Sequence, residues 1–197
     1  MMVQPNRYYN LRSGETESPL GYIMQCLLES RVRLGLPSTV PEGEEINVYL
    51  GHLLVTVMTP VYRELCDRYV RATGTEIFER IEHSREAAEK FFVYRANADH
   101  RLLSGSVFRV PDTPPVGEEG STYYHFAAEY HKQVHRRITP VSRLLEDLSQ
   151  TFETYEAILT HMRHAYFQLW SEVSDENVQT WLRSLTPPAS PDDNRLS

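Results

Sequence analysis

The sequence is poor in cysteine, with Cys26 and Cys66 the two such residues in a chain of 197. That is too few for a disulfide-stapled secreted scaffold, and their spacing fits no zinc motif. Lysine is scarcer than its charge partner: of 20 basic residues, Lys90 and Lys132 are lysine and the rest arginine, which reads as base composition rather than physical need. Long hydrophobic runs are missing. The most apolar stretch, 46–61, contains His52 and Pro60, whereas a bilayer span takes about 20 predominantly apolar residues. Residues 1–12 are polar, with no apolar stretch of signal-peptide length. There is no Asn-x-Ser/Thr sequon. The expectation is a bacterial-type cytoplasmic protein in a reducing compartment, without membrane contact.

Catalytic signatures are absent too. The chain has no Gly-x-Ser-x-Gly elbow, no Gly-x-Gly-x-x-Gly turn, no phosphate-loop Gly-Lys-Ser/Thr and no His-Glu-x-x-His. A formal charge of −7 argues against a phosphate-binding surface. A helix-turn-helix around Gly74 fails on the same ground, because the would-be reading helix carries Glu79, Glu82, Glu86 and Glu89 outward. No nucleic acid is expected as a partner.

What is present is an ordinary globular composition, 41% hydrophobic and 24% charged, long enough for one domain with a core that needs no staples. Proline and glycine divide it into segments of helical period. Ser18-Pro19 is a cap-plus-proline start, and Gly35 with Pro37 closes that helix. A second apolar run carries Ile46, Leu50, Leu53, Leu54, Val57, Val61, Leu65 and Tyr69, interrupted by Pro60, which kinks or splits it. A third helix is predicted at about 75–103, then a loop at 104–120 rich in proline and glycine. The fourth, at about 122–138, is expected to bury Tyr123, Phe126, Tyr130, Val134 and Ile138. The fifth opens at Thr139-Pro140, and its stripe runs from Val141 through Leu144, Leu145, Leu148, Phe152, Tyr155, Leu159, Met162, Tyr166 and Leu169 to Trp170. That is about 30 residues, hence about 45 Å if continuous. A short sixth helix near 174–185 presents Trp181. The predicted fold is all-α: a single-domain bundle at 18–186 of five long helices and a short sixth C-terminal one. Residues 1–17 are expected to be a flexible segment and 187–197 a disordered tail.

Eight histidines are the strongest catalytic lead. His131 and His135 are four apart, and a helical bundle can hold a transition metal if such residues project inward. Projection at about 100° per residue places His131 and His135 on the flank of the fourth helix. His125 falls opposite its apolar face, and His161 and His164 point away from the core on the fifth. The primary expectation is therefore surface histidines and no cofactor, with a transition metal at His131 and His135 as the alternative. Arg95 and Asp99 are four apart on the apolar side of the third helix, which predicts a structural ion pair or a contact to a partner chain. His131 to Arg137 forms a basic patch that complements a helix C-terminus. The functional expectation, with a metal-binding helical-bundle enzyme or sensor using the flank histidines as the alternative, is a non-enzymatic adaptor, regulatory or structural protein. It would act on a protein partner or as a homodimer, through Met162, Tyr166, Leu169, Trp170 and Trp181.

Overall fold

Ser18 caps the first helix, accepting from the Gly21 amide at 3.1 Å, and Pro19 supplies a preset φ at its first position. Helix α1 (Pro19–Arg33) ends where Gly35 takes a left-handed φ of 72°, which lets the Leu36 amide reach back to the Arg31 carbonyl at 2.9 Å. The computed structural model describes residues 18–36, 41–108 and 117–166. They are 84% helical, with eight helices and no strand among the described residues, so the chain is all-α. The helix count exceeds the five long and one short that were expected. The predicted sixth helix, Leu169, Trp170, Trp181 and both predicted flexible termini lie outside the described residues.

Each extra helix has a local cause. Pro60 does split the second run, giving α2 (Pro41–Val57) and α3 (Pro60–Tyr69). The expected third helix is also two, α4 (Gly74–His83) and α5 (Ala87–Gly105). Thr73 and Glu76 cap the start of α4 as a reciprocal box. At its end Ser84 turns to extended backbone, and its hydroxyl donates to Glu89 at 2.8 Å, while Arg80 ion-pairs with the same carboxylate. Side-chain contacts across the break replace the helical bonds it gives up.

The predicted loop at 104–120 is shorter than expected. Ser104 and Gly105 finish α5, and Gly117 already opens α6 (Gly117–His135). The face of α6 is also rotated from the predicted one. Tyr123, Tyr124, Ala127, Ala128 and His131 are buried, whereas Val134 is 41% and Ile138 62% exposed. Small residues decide this: Ala127 and Ala128 face inward, and a Cβ on Gly120 would overlap the Phe152 ring.

The long fifth helix is likewise two, α7 (Pro140–Gln150) and α8 (Phe152–Tyr166). Thr151 sits between them at φ −112°, its hydroxyl and amide both donating to the Asp147 carbonyl, at 2.6 and 2.9 Å. Such back-bonding from threonine bends a helix. Helix α7 then packs on α6, and α8 turns onto α1 while touching α5 and α6. Among the described residues the expected 45 Å stripe is thus bent at Thr151 rather than continuous. Val141 is exposed, and Ile158, absent from the predicted stripe, is fully buried.

The central pair is α5 against α6, running antiparallel: Phe91 meets His131, Tyr94 meets Phe126 and Tyr130, and Asp99 meets Tyr124. Helices α1 and α8 also pack together, with Arg31 on Tyr155, Ser30 on His161 and Glu29 on Tyr166. His161 thus bonds the buried Ser30 at 3.0 Å instead of pointing to solvent, contrary to the projection. Arg71, Asn97 and Tyr69 tie α3 to α5: the Arg71 amide donates to Asn97, whose amide nitrogen donates to the Tyr69 carbonyl.

Candidate functional site

Three helices contribute one stripe each to a common cleft. From α2 come Tyr49, His52, Leu53 and Thr56; from α3, Tyr62, Leu65, Cys66 and Tyr69; from α5, Phe92, Arg95, Ala96 and Asp99. Every set follows spacings of three, four and seven, one face of an α-helix. The break at Pro60 makes this possible. In a continuous helix Tyr49 and Tyr69 would stand about 30 Å apart, whereas here they line a single cavity of about 150 Å³.

Asp99 lies at the polar end, almost fully buried. Its Oδ1 accepts the Tyr49 hydroxyl at 2.6 Å and the Tyr124 hydroxyl at 2.7 Å. Its Oδ2 is 3.6 Å from Arg95 Nε, and that same Nε donates to the Tyr49 hydroxyl oxygen at 3.1 Å. The Arg95 guanidinium lies 5.3 Å from the Tyr49 ring centre. The expected ion pair at Arg95 and Asp99 is therefore present, inside a four-residue network whose tyrosines the sequence reading missed. Burial raises the Asp99 pKa, while the Arg95 charge and the two hydroxyls pull against that rise. Arg95 is held more firmly protonated by Tyr49 and Asp99, against the desolvation that opposes it.

Burial favours the neutral forms of three further groups in the cleft. Burial pushes the Cys66 thiol up to about 11 and lifts Tyr49 and Tyr62 well above their ordinary value. Beside the cleft, His100 contacts the Tyr62 hydroxyl and the Ser104 hydroxyl, both at 3.4 Å, and burial lowers its pKa to about 4. No activated thiolate or phenolate results. The opposite wall is aromatic: Tyr69 and Phe92 stack with ring centres 5.7 Å apart and planes at 19°.

His131 and His135 do meet, with ring centres 4.4 Å apart. His131 is buried rather than on a flank: its Nδ1 pairs with the Thr139 hydroxyl at 3.0 Å and its ring meets Phe91 edge-on. Burial, with His135 and Arg95 nearby, lowers its pKa. Among the described residues no group of three His, Cys, Asp or Glu is placed to hold a metal, so this pair has no third ligand there. In the basic patch, Lys132 pairs with Glu129 at 2.6 Å and approaches Glu146 at 3.8 Å. Of the expected interaction residues, Met162 is 0% exposed and belongs to the core, and Tyr166 is half-buried with its hydroxyl donating to Glu29 at 2.7 Å.

The chain matches no protein-family model, no curated protein and no solved structure. The residues of the cleft must carry the functional argument themselves. Arg95 and Asp99 were legible as an i,i+4 pair on an apolar face. Tyr49 and Tyr124 were not, since nothing in their local spacing sets them apart from the chain's ten other tyrosines.

Proposed function

We propose that this protein is a non-enzymatic helical-bundle protein of the cytoplasm that works by recognising a partner protein at the cleft between α2, α3 and α5. The observation that carries this reading is the cleft's rim. Leu65 and Phe92 both line the cleft and are 38% and 41% exposed, and Val61, one turn before Leu65 on α3, is 54% exposed. Large apolar side chains grouped around a concave site with a few fixed polar groups are the usual makings of a recognition pocket. The protonated Cys66 thiol and Tyr49 and Tyr62 phenols, and a carboxylate already occupied by two hydroxyls, favour binding over catalysis. Cys26 and Cys66 remain thiols rather than a disulfide, as suits a reducing compartment.

A peptide-display selection against the full chain tests this. The expected result is convergence on one motif whose synthetic peptide perturbs the amide resonances of Leu65, Phe92 and Arg95, with binding lost in Leu65→Asp. Failure to converge, or perturbations centred on the exposed Val134 and Ile138 instead, would overturn it.

A further inference from the structure

The chemistry of the cleft is specific enough to name what it holds. Arg95 spends Nε on the Tyr49 hydroxyl and on Asp99. Its two terminal nitrogens have no acceptor among the described residues, although the side chain lines the cavity and is 38% exposed there. Asp99 meets the guanidinium at Nε, 3.6 Å from Oδ2, while its Oδ1 accepts from Tyr49 and Tyr124. What remains is a guanidinium fixed along one edge by Tyr49 and Asp99, with its forked edge unmatched. That edge fits the two oxygens of a carboxylate, and such paired bonds are both strong and directional. The same cavity, of about 150 Å³, is walled on its other sides by Tyr62, Tyr69 and Phe92, with the Cys66 thiol among them. An apolar cavity of about that volume holds one benzene ring, and sulfur against an aromatic edge is a favourable contact.

We infer that the cleft binds a carboxylate carried two or three bonds from an aromatic ring, the carboxylate on the terminal nitrogens of Arg95 and the ring against Tyr69 and Phe92. Two sources share this chemistry: a free arylalkanoate, or the C-terminal aromatic residue of a polypeptide. The inference rests on the choice of cleft made for partner recognition, and its polypeptide source deepens that reading.

Titration of the full chain with 3-phenylpropanoate and with its amide, followed by amide resonances and calorimetry, is the test. The acid is expected to bind at least tenfold more tightly than the amide, perturbing Arg95 and Phe92, and to weaken with added salt. In Arg95→Gln the two should bind alike; the comparison on the parent chain stands even if that variant fails to fold. Acetylated Gly-Gly-Phe as free acid and as amide separates the sources. A peptide acid that outbinds 3-phenylpropanoate assigns the site to a chain terminus, and the reverse order to a small metabolite. Equal binding of acid and amide, or no binding of either, overturns the inference. If display-selected peptides with blocked or internal ends still bound the cleft, partner recognition would stand while the carboxylate inference fell.

Discussion

At the scale of single residues, the buried polar groups set measurable terms in stability. His100 takes its proton at about pH 4 in the folded chain, against an ordinary value of 6.5. The unfolded chain binds that proton first, so stability present above pH 6.5 is lost as the pH falls toward 4. A depression of this size corresponds to about 3 kcal/mol. The difference between the urea-unfolding free energies of the parent and His100→Gln should therefore change by about that amount across the window. His131, lowered in the same direction, leaves some acid sensitivity in the variant. A pH-independent difference would mean that His100 is solvated. Tyr124→Phe deletes one of the two hydroxyls that satisfy Asp99 Oδ1. A hydrogen bond to a charged group contributes about 1.5–3 kcal/mol, and equilibrium unfolding should show a loss in that range. A loss below about 0.5 kcal/mol, the usual effect of a surface change, would place a solvent molecule rather than Tyr124 as the effective donor.

At the scale of elements, the junctions decide which faces meet. Helix α6 approaches the start of α8 at Gly120, where a methyl group would overlap the Phe152 ring. Gly120→Ala gains helix propensity of about 1 kcal/mol, but overpacking costs about 1–3 kcal/mol, so the net outcome is destabilisation. Adding Phe152→Leu to Gly120→Ala should recover part of that loss, beyond what the single Phe152→Leu predicts by addition. Additive thermal shifts in the double-mutant cycle would show that the ring moves aside at no cost. The three unforeseen or doubtful breaks have different visibility in the sequence. Pro60 announces itself by chemistry, whereas Ser84 and Thr151 break helices through side-chain bonds to Glu89 and to the Asp147 carbonyl. Serine and threonine make those bonds only in particular settings.

At the scale of the whole molecule, one buried cluster runs through α1 to α8. Leu148 on α7 is wholly enclosed within it. Leu148→Ala should cost about 2–5 kcal/mol, as truncated buried leucines do, read from the denaturant midpoint at unchanged slope. A reduced slope instead would indicate that α7 detaches without the rest of the chain unfolding. Large apolar side chains are exposed at several places on the described part of the bundle: Leu28, Val32 and Leu34 at α1, Phe78 on α4, the cleft rim, and Val134, Ile138 and Val141.

The sequence by itself determined the all-α class, the caps at Ser18 and Thr139, the split at Pro60 and the pairing of Arg95 with Asp99. Each depends on residues within four or five positions of one another, where chain geometry dictates the outcome. Only the tertiary structure decided which face of α6 turns inward, that His131 and His161 are engaged rather than solvated, and that Tyr49 and Tyr124 converge on Asp99. The bonds of Tyr124, Tyr49 and His161 join residues 25, 50 and 131 positions apart, and the Phe91 ring against His131 comes from another helix. Such pairings are set by packing volume at places like Gly120 and Ala127 and by desolvation of buried polar groups, neither of which leaves a periodic trace along the chain.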